Sequence, residues 1–117
     1  MRVPLLACLA IVLSTAAMAQ PIPVPSDSKA RYTALQVTPK PGGMVEILSR
    51  RVGPSGTSFA LREVDCRNDR FRYLGEGDTR EEALQRKDSP GPMADLFDGS
   101  ISWHVSHFAC RRAARGK

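Results

Sequence analysis

The chain has 117 residues, 17 Lys and Arg against 12 Asp and Glu, a net charge of +5 and 42% hydrophobic residues. That length suits one small domain behind a processing segment, with a core that buries about two-thirds of its surface. The basic excess does not mark a nucleic-acid binder: residues 20–110 hold 12 basic and 12 acidic residues, and the surplus beyond them is Arg111, Arg112, Arg115 and Lys117.

The first segment reads as an export signal. Arg2 supplies a short positive region, Leu5–Leu13 an apolar run, and Ala17-Met18-Ala19 a small-residue cleavage site before Gln20. The apolar run is shorter than the ~20 residues a spanning helix needs. Leu5-Leu6-Ala7-Cys8 has the look of a lipoprotein box, but cleavage there would leave most of the apolar run behind it. Cleavage after Ala19 is therefore expected, giving a periplasmic or extracellular product. No second apolar span follows, so no transmembrane segment is expected in the mature protein.

Residues 20–29, with Pro21, Pro23 and Pro25 before Ser26-Asp27-Ser28, read as an extended proline-rich linker, and residues 30–117 as a single domain with a basic tail. Tyr32–Thr38 and Met44–Val52 are strand candidates around the loop Pro39-Lys40-Pro41-Gly42-Gly43. Leu35 and Val37 are expected on one face of the first. The second is apolar on both faces, Val45 and Ile47 opposite Met44 and Leu48, which marks a central strand or a sheet covered on both sides. Gly53-Pro54-Ser55-Gly56 separates this pair from a hairpin over Phe59–Gly75. With Asn68-Asp69 at its tip, Cys66 faces Phe71, Asp65 faces Arg72 and Val64 faces Tyr73. Cys66, Val64, Phe71 and Tyr73 then share the core face, and an Asp65–Arg72 ion pair lies on the other. Four antiparallel strands in meander order are the economical topology.

Thr79-Arg80-Glu81-Glu82 has the form of a capping box and starts a short helix to about Lys87, stopped by Ser89-Pro90-Gly91-Pro92. The acidic residues there suit the first turn of a helix rather than acid–base chemistry. A last helix begins with Ser100 as N-cap and an apolar stripe of Ile101, Val105 and Phe108. Cys110 falls about half a turn from that stripe, so the helix is expected to distort or end there, or else to offer the cysteine from its flank beside Trp103. The basic tail reads as a solvated helix end; an acidic partner, anionic lipid or polyanion is the functional alternative.

Removal of Cys8 leaves Cys66 and Cys110 in an oxidising compartment, where a disulfide is the default and free or metal-bound thiols the alternative. The bridge closes a loop of about 44 residues, worth roughly 4 kcal/mol in the chain-entropy account. His104, His107 and Cys110 lie along one side of the helix with metal-ligand chemistry, but an oxidised Cys110 leaves only two ligands. No nucleophile elbow, phosphate-binding glycine loop or zinc-helix motif is present. No cofactor and no metal are expected. Arg50, Arg51, Arg62, Arg67, Arg70 and Arg72 do not make a polyanion surface, because Glu46, Glu63, Asp65 and Asp69 offset four of them.

Val-Asp-Cys at 64–66, Arg-x-Arg-Tyr at 70–73, Asp-Gly-Ser-Ile at 98–101 and the late Cys110 resemble, in that order, the surface-adhesin protein E family of small exported bacterial proteins. The resemblance spans roughly Tyr32–Cys110. It implies an antiparallel sheet with a packed terminal helix, a Cys66–Cys110 bridge, and binding to extracellular host proteins; no ligand-contacting motif carries over. The expected fold is α+β, a small antiparallel meander with a C-terminal helix and one disulfide. The expected function is a non-enzymatic exported binding or envelope protein, adhesin-like, with an extracellular or envelope protein as partner. The alternative is an inhibitor or accessory subunit docking on another exported protein. Trp103, His104, His107, Arg111 and Arg112 make up the candidate partner surface.

Overall fold

The computed structural model describes residues 19–116, so the signal segment with Cys8, and Lys117, lie outside the described residues. Six strands form one antiparallel sheet in sequential order: β1 Gln20–Ile22, β2 Arg31–Lys40, β3 Met44–Gly53, β4 Gly56–Asp65, β5 Arg70–Gly77 and β6 Ala94–Asp95. Helix α1, Arg80–Leu84, lies on one face, and α2, Ile101–Arg115, on the other. The α+β meander with a C-terminal helix and a Cys66–Cys110 disulfide is the architecture expected from the sequence.

Alternation in β3 builds two cores. Val45 and Ile47 point to the α2 side, where they meet Ile22, Tyr32, Ala34 and Val64 of the sheet and Val105 and Ala109 of the helix. Leu48 points the other way and packs with Leu61, Leu74 and Ala83 beneath α1. Two layers on one sheet explain why β3 is apolar on both faces.

Two bulges shift the phase of the alternation. Leu35 is the extra residue between Ala34 and Gln36, so Val37 joins the α2 core while Leu35 joins the α1 core, not one face as expected. Leu74 is the extra residue opposite the Leu61–Arg62 step. The β4–β5 hairpin closes at Asp65↔Arg70, with Val64 opposite Phe71 and Glu63 opposite Arg72. This is two residues from the expected register, so the faces are as expected but the partners differ. The ion pair is Arg72–Glu63, at 2.7 Å, rather than Asp65–Arg72. Asp65 caps the turn instead, accepting from the backbone N–H groups of Arg67 and Asn68 and from the Asn68 amide. That last bond is the main reason its carboxyl is held below its ordinary value. Asp69 takes the positive φ of 56° that closes the loop.

The proline-rich stretch is not a free linker. Pro21 fits because β1 is an edge strand, where a missing N–H costs no central ladder bond. The residues between the prolines do the packing: Ile22 and Val24 are buried in the α2 core. Helix α1 ends at Leu84, short of Lys87, because the chain peels back onto β5, with Lys87 N donating to Leu74 O at 2.8 Å. Its start is as expected: Thr79 Oγ1 accepts from Glu82 N, while Glu82 reaches back to Asp78 N.

Helix α2 neither distorts nor stops at Cys110; it runs regularly to Arg115 from an N-cap in which Ser100 Oγ accepts from Trp103 N. Cys110 stands one turn beyond the fully buried Ser106, on the flank of the Val105–Ala109 stripe, and this is enough to reach Cys66. His107 Nε2 bonds Asp69 Oδ1 at 2.8 Å, so the hairpin loop is held to the helix at two points. Among the described residues, no helix is long and apolar enough to cross a membrane.

Candidate binding cleft

Helix α2 covers only part of its sheet face. It begins at Ile101, beside Arg62, and beyond that point the face is open. The α2-facing positions of β3 here are Ser49 and Arg51, and those of β4 are Ser58, Ala60 and Arg62. With Tyr32, Tyr73 and the β5 end at Glu76–Asp78 they line a cleft of about 370 Å3, a volume within the range of small-ligand sites.

Arg62 lies at its floor, only 4% exposed. Its Nε donates to Ser102 Oγ at 3.3 Å, Nη1 to Ser49 Oγ at 3.1 Å and Nη2 to Tyr73 OH at 3.2 Å. Tyr73 OH lies 3.2 Å from Ser102 Oγ, and the guanidinium carbon is 4.8 Å from the Tyr73 ring centroid. All of these partners are neutral. Among the described residues no carboxylate lies within ion-pairing distance of this permanently cationic side chain.

The other buried charge is treated differently. Glu46, 5% exposed and lining a separate groove, pairs with both Lys40 and Arg86. Arg51, at the cleft's edge, is also neutralised: its Nε and the Tyr32 hydroxyl both donate to Asp27 Oδ2, at 3.1 and 2.7 Å. The Tyr32 hydrogen bond, helped by Arg51, holds the Asp27 carboxyl below its ordinary value of 3.8. Burial, with Asp27 adding to it, pushes the Tyr32 phenol up. A depressed carboxyl contributes stability that is present above its unfolded value and lost as pH falls through the folded one. Tyr32→Phe removes the largest cause of the depression, so the Asp27 carboxyl should titrate closer to 3.8 and lose its contribution at higher pH. A carbon-detected NMR titration reads this directly, and an unchanged midpoint would contradict it.

The surface expected from the sequence divides in two. Trp103, His104 and His107 come together on α2: the Trp103 ring stacks on His107 with centroids 4.1 Å apart and meets His104 edge-on at 4.9 Å. Arg111 and Arg112 lie farther along the helix and line a shallow groove with Pro21, Pro23 and Phe108. Arg112 is not simply solvated, since it donates to Gln20 Oε1 on β1. Cys110 is oxidised, and no cluster of three metal-ligating side chains occurs among the described residues. Arg62, Ser49 and Ser102 were not among the expected site residues. The signal for Arg62 was present, because it stands two positions before Val64 in the file of β4 residues that faces the core. No family model, curated protein or solved structure matches the chain.

Proposed function

We propose that the chain is an exported, non-enzymatic binding module, periplasmic or extracellular, and that the cleft over Arg62 receives an anionic group of its ligand. One observation carries the reading: a buried guanidinium with only neutral partners, at the floor of an open cavity. Burying an unpaired charge costs several kcal/mol, which an arriving carboxylate or phosphate offsets through charge-assisted hydrogen bonds. The cleft's described lining offers hydroxyl and guanidinium donors with no histidine or thiol beside the serines, which favours binding over nucleophilic chemistry. Export is supported by the Ala17-Met18-Ala19 site behind its apolar run and by the disulfide. The resemblance to surface-adhesin protein E adds an extracellular or envelope protein as a partner class, separate from the ligand of the cleft.

Thermal unfolding of the oxidised mature protein checks this. Sodium acetate should raise the midpoint saturably above an equal concentration of sodium chloride, by mass action on the folded state. The increment should vanish in Arg62→Gln. Equal effects of the two salts would contradict the reading.

A second reading, an inhibitor or accessory subunit, is favoured by Phe97, which is 78% exposed just ahead of the first turn of α2 that carries Trp103. Capture of an exported protein that is lost in Phe97→Ser, with Arg62→Gln without effect, would move the function to that end of the helix.

A further inference from the structure

We infer that the ligand of the cleft is an apolar α-amino acid in its zwitterionic form, with its carboxylate on Arg62 and its ammonium toward the acidic rim. The inference rests on the reading of the cleft as an anion-binding site and adds the chemistry of the rest of the molecule bound there.

The rim carries the second charge. Glu76 and Asp78 both line the cleft. Glu76 pairs with Ala60, two positions from Arg62 along the same face of β4, so the two charged side chains rise from backbone positions about 7 Å apart along the strand direction. A carboxylate and an ammonium on one carbon place two opposite charges side by side, in the same order as the buried cation and the rim carboxylates along this face of the sheet. Glu76 also pairs with the exposed Lys87 at 3.6 Å, whereas the Asp78 carboxylate has no ion pair among the described residues. Since Arg51 is neutralised by Asp27, the field in the cleft comes from one buried cation and an acidic rim. A phosphate dianion would meet repulsion from that rim. A simple carboxylate would leave the acids unanswered, and a zwitterion answers both ends. Ala60, Ile101 and the ring of Tyr73 complete the lining with apolar surface for an aliphatic side chain, while Phe59 turns to the α1 core.

Three probes of one shape separate the contributions: L-leucine, 4-methylpentanoate, which lacks the ammonium, and 3-methylbutylamine, which lacks the carboxylate. Calorimetric titration of the oxidised mature protein should rank L-leucine tightest, on the order of tenfold ahead of 4-methylpentanoate, with the amine weakest. Glu76 is exposed, so Glu76→Gln should fold normally. It should bring L-leucine down toward 4-methylpentanoate while leaving 4-methylpentanoate unchanged or tighter. If 4-methylpentanoate or inorganic phosphate binds as tightly as L-leucine, the zwitterion is wrong and the anion site stands. If none of the anionic probes binds, or if binding is the same in Arg62→Gln, the anion site fails as well.

Discussion

Reduction of the Cys66–Cys110 bridge should destabilise the domain by about 4 kcal/mol, the chain-entropy value for its 44-residue separation. That is a large share of the total stability of a domain this size. The sheet's own hydrogen bonds do not depend on the bridge. What it fixes is the placement of α2 over Val45, Ile47 and Val64, which has one other tie to the hairpin loop, the His107–Asp69 bond. A half-exposed pair of that kind contributes little alone. Cys66→Ser and Cys110→Ser should each cost about as much as the double variant, because both remove the same bond. Denaturant melts of the three variants test this; additive losses, or free thiols in the native protein, would contradict it.

Gly75→Ala should be the most damaging single added carbon, on the order of 3 kcal/mol, at the upper end of typical overpacking costs. A Cβ built on Gly75 would stand 1.9 Å from the Ala83 carbonyl oxygen, a backbone atom that cannot move without lifting α1 from β5. The damage should be local. Leu48, Leu61 and Leu74 would lose their cover, while the α2 core would keep its own. Amide exchange gives the signature: the Lys87 N–H, bonded to Leu74 O, should lose protection in the variant, and the amides pairing β1 with β2, whose Ile22, Tyr32 and Ala34 pack in the α2 core, should lose less. A neutral Gly75→Ala would mean that α1 does not pack as described.

The features legible in the sequence are those set by local chemistry or by parity. Ser100 and Thr79 announce their caps, and the two-sided apolar pattern of β3 announces its central place. The cysteine pair follows from compartment and count. Long-range adjustments were not legible. Nothing in Ala34-Leu35-Gln36 marks a bulge, since Leu35 is simply left unpaired while β2 bends around it, which requires no particular residue type. The hairpin register differs by two because the loop spans residues 66–69 rather than Asn68-Asp69 alone: Asp65 is the last ladder residue, opposite Arg70 instead of Arg72, and its carboxylate caps that longer loop. In residues 20–29 the prolines dominate the pattern and mask Ile22 and Val24, which alternate with them at strand spacing. Cys110 lies half a turn from the centre of the apolar stripe but close to its edge, which is why α2 reaches the disulfide without the break that the centre-to-cysteine angle predicts. The cleft is hidden in the sequence for a related reason: nothing in an arginine's identity marks it as buried, and only the starting point of α2 shows that the file of Val64 runs on past the helix, with Arg62 buried at the floor of the opening.

The most direct measurement of the central claim is the Arg62 side chain itself. In nitrogen-labelled, oxidised protein, the Nε–Hε signal of Arg62 should shift saturably as acetate is added, together with the amides of Ser49, Tyr73 and Ser102, while the signals of Arg51 and Arg72, already paired with Asp27 and Glu63, stay near their starting positions. Shifts that spread evenly over the arginines and grow linearly with salt would show that Arg62 is only a buried structural cation, and the cleft would lose its claim to a ligand.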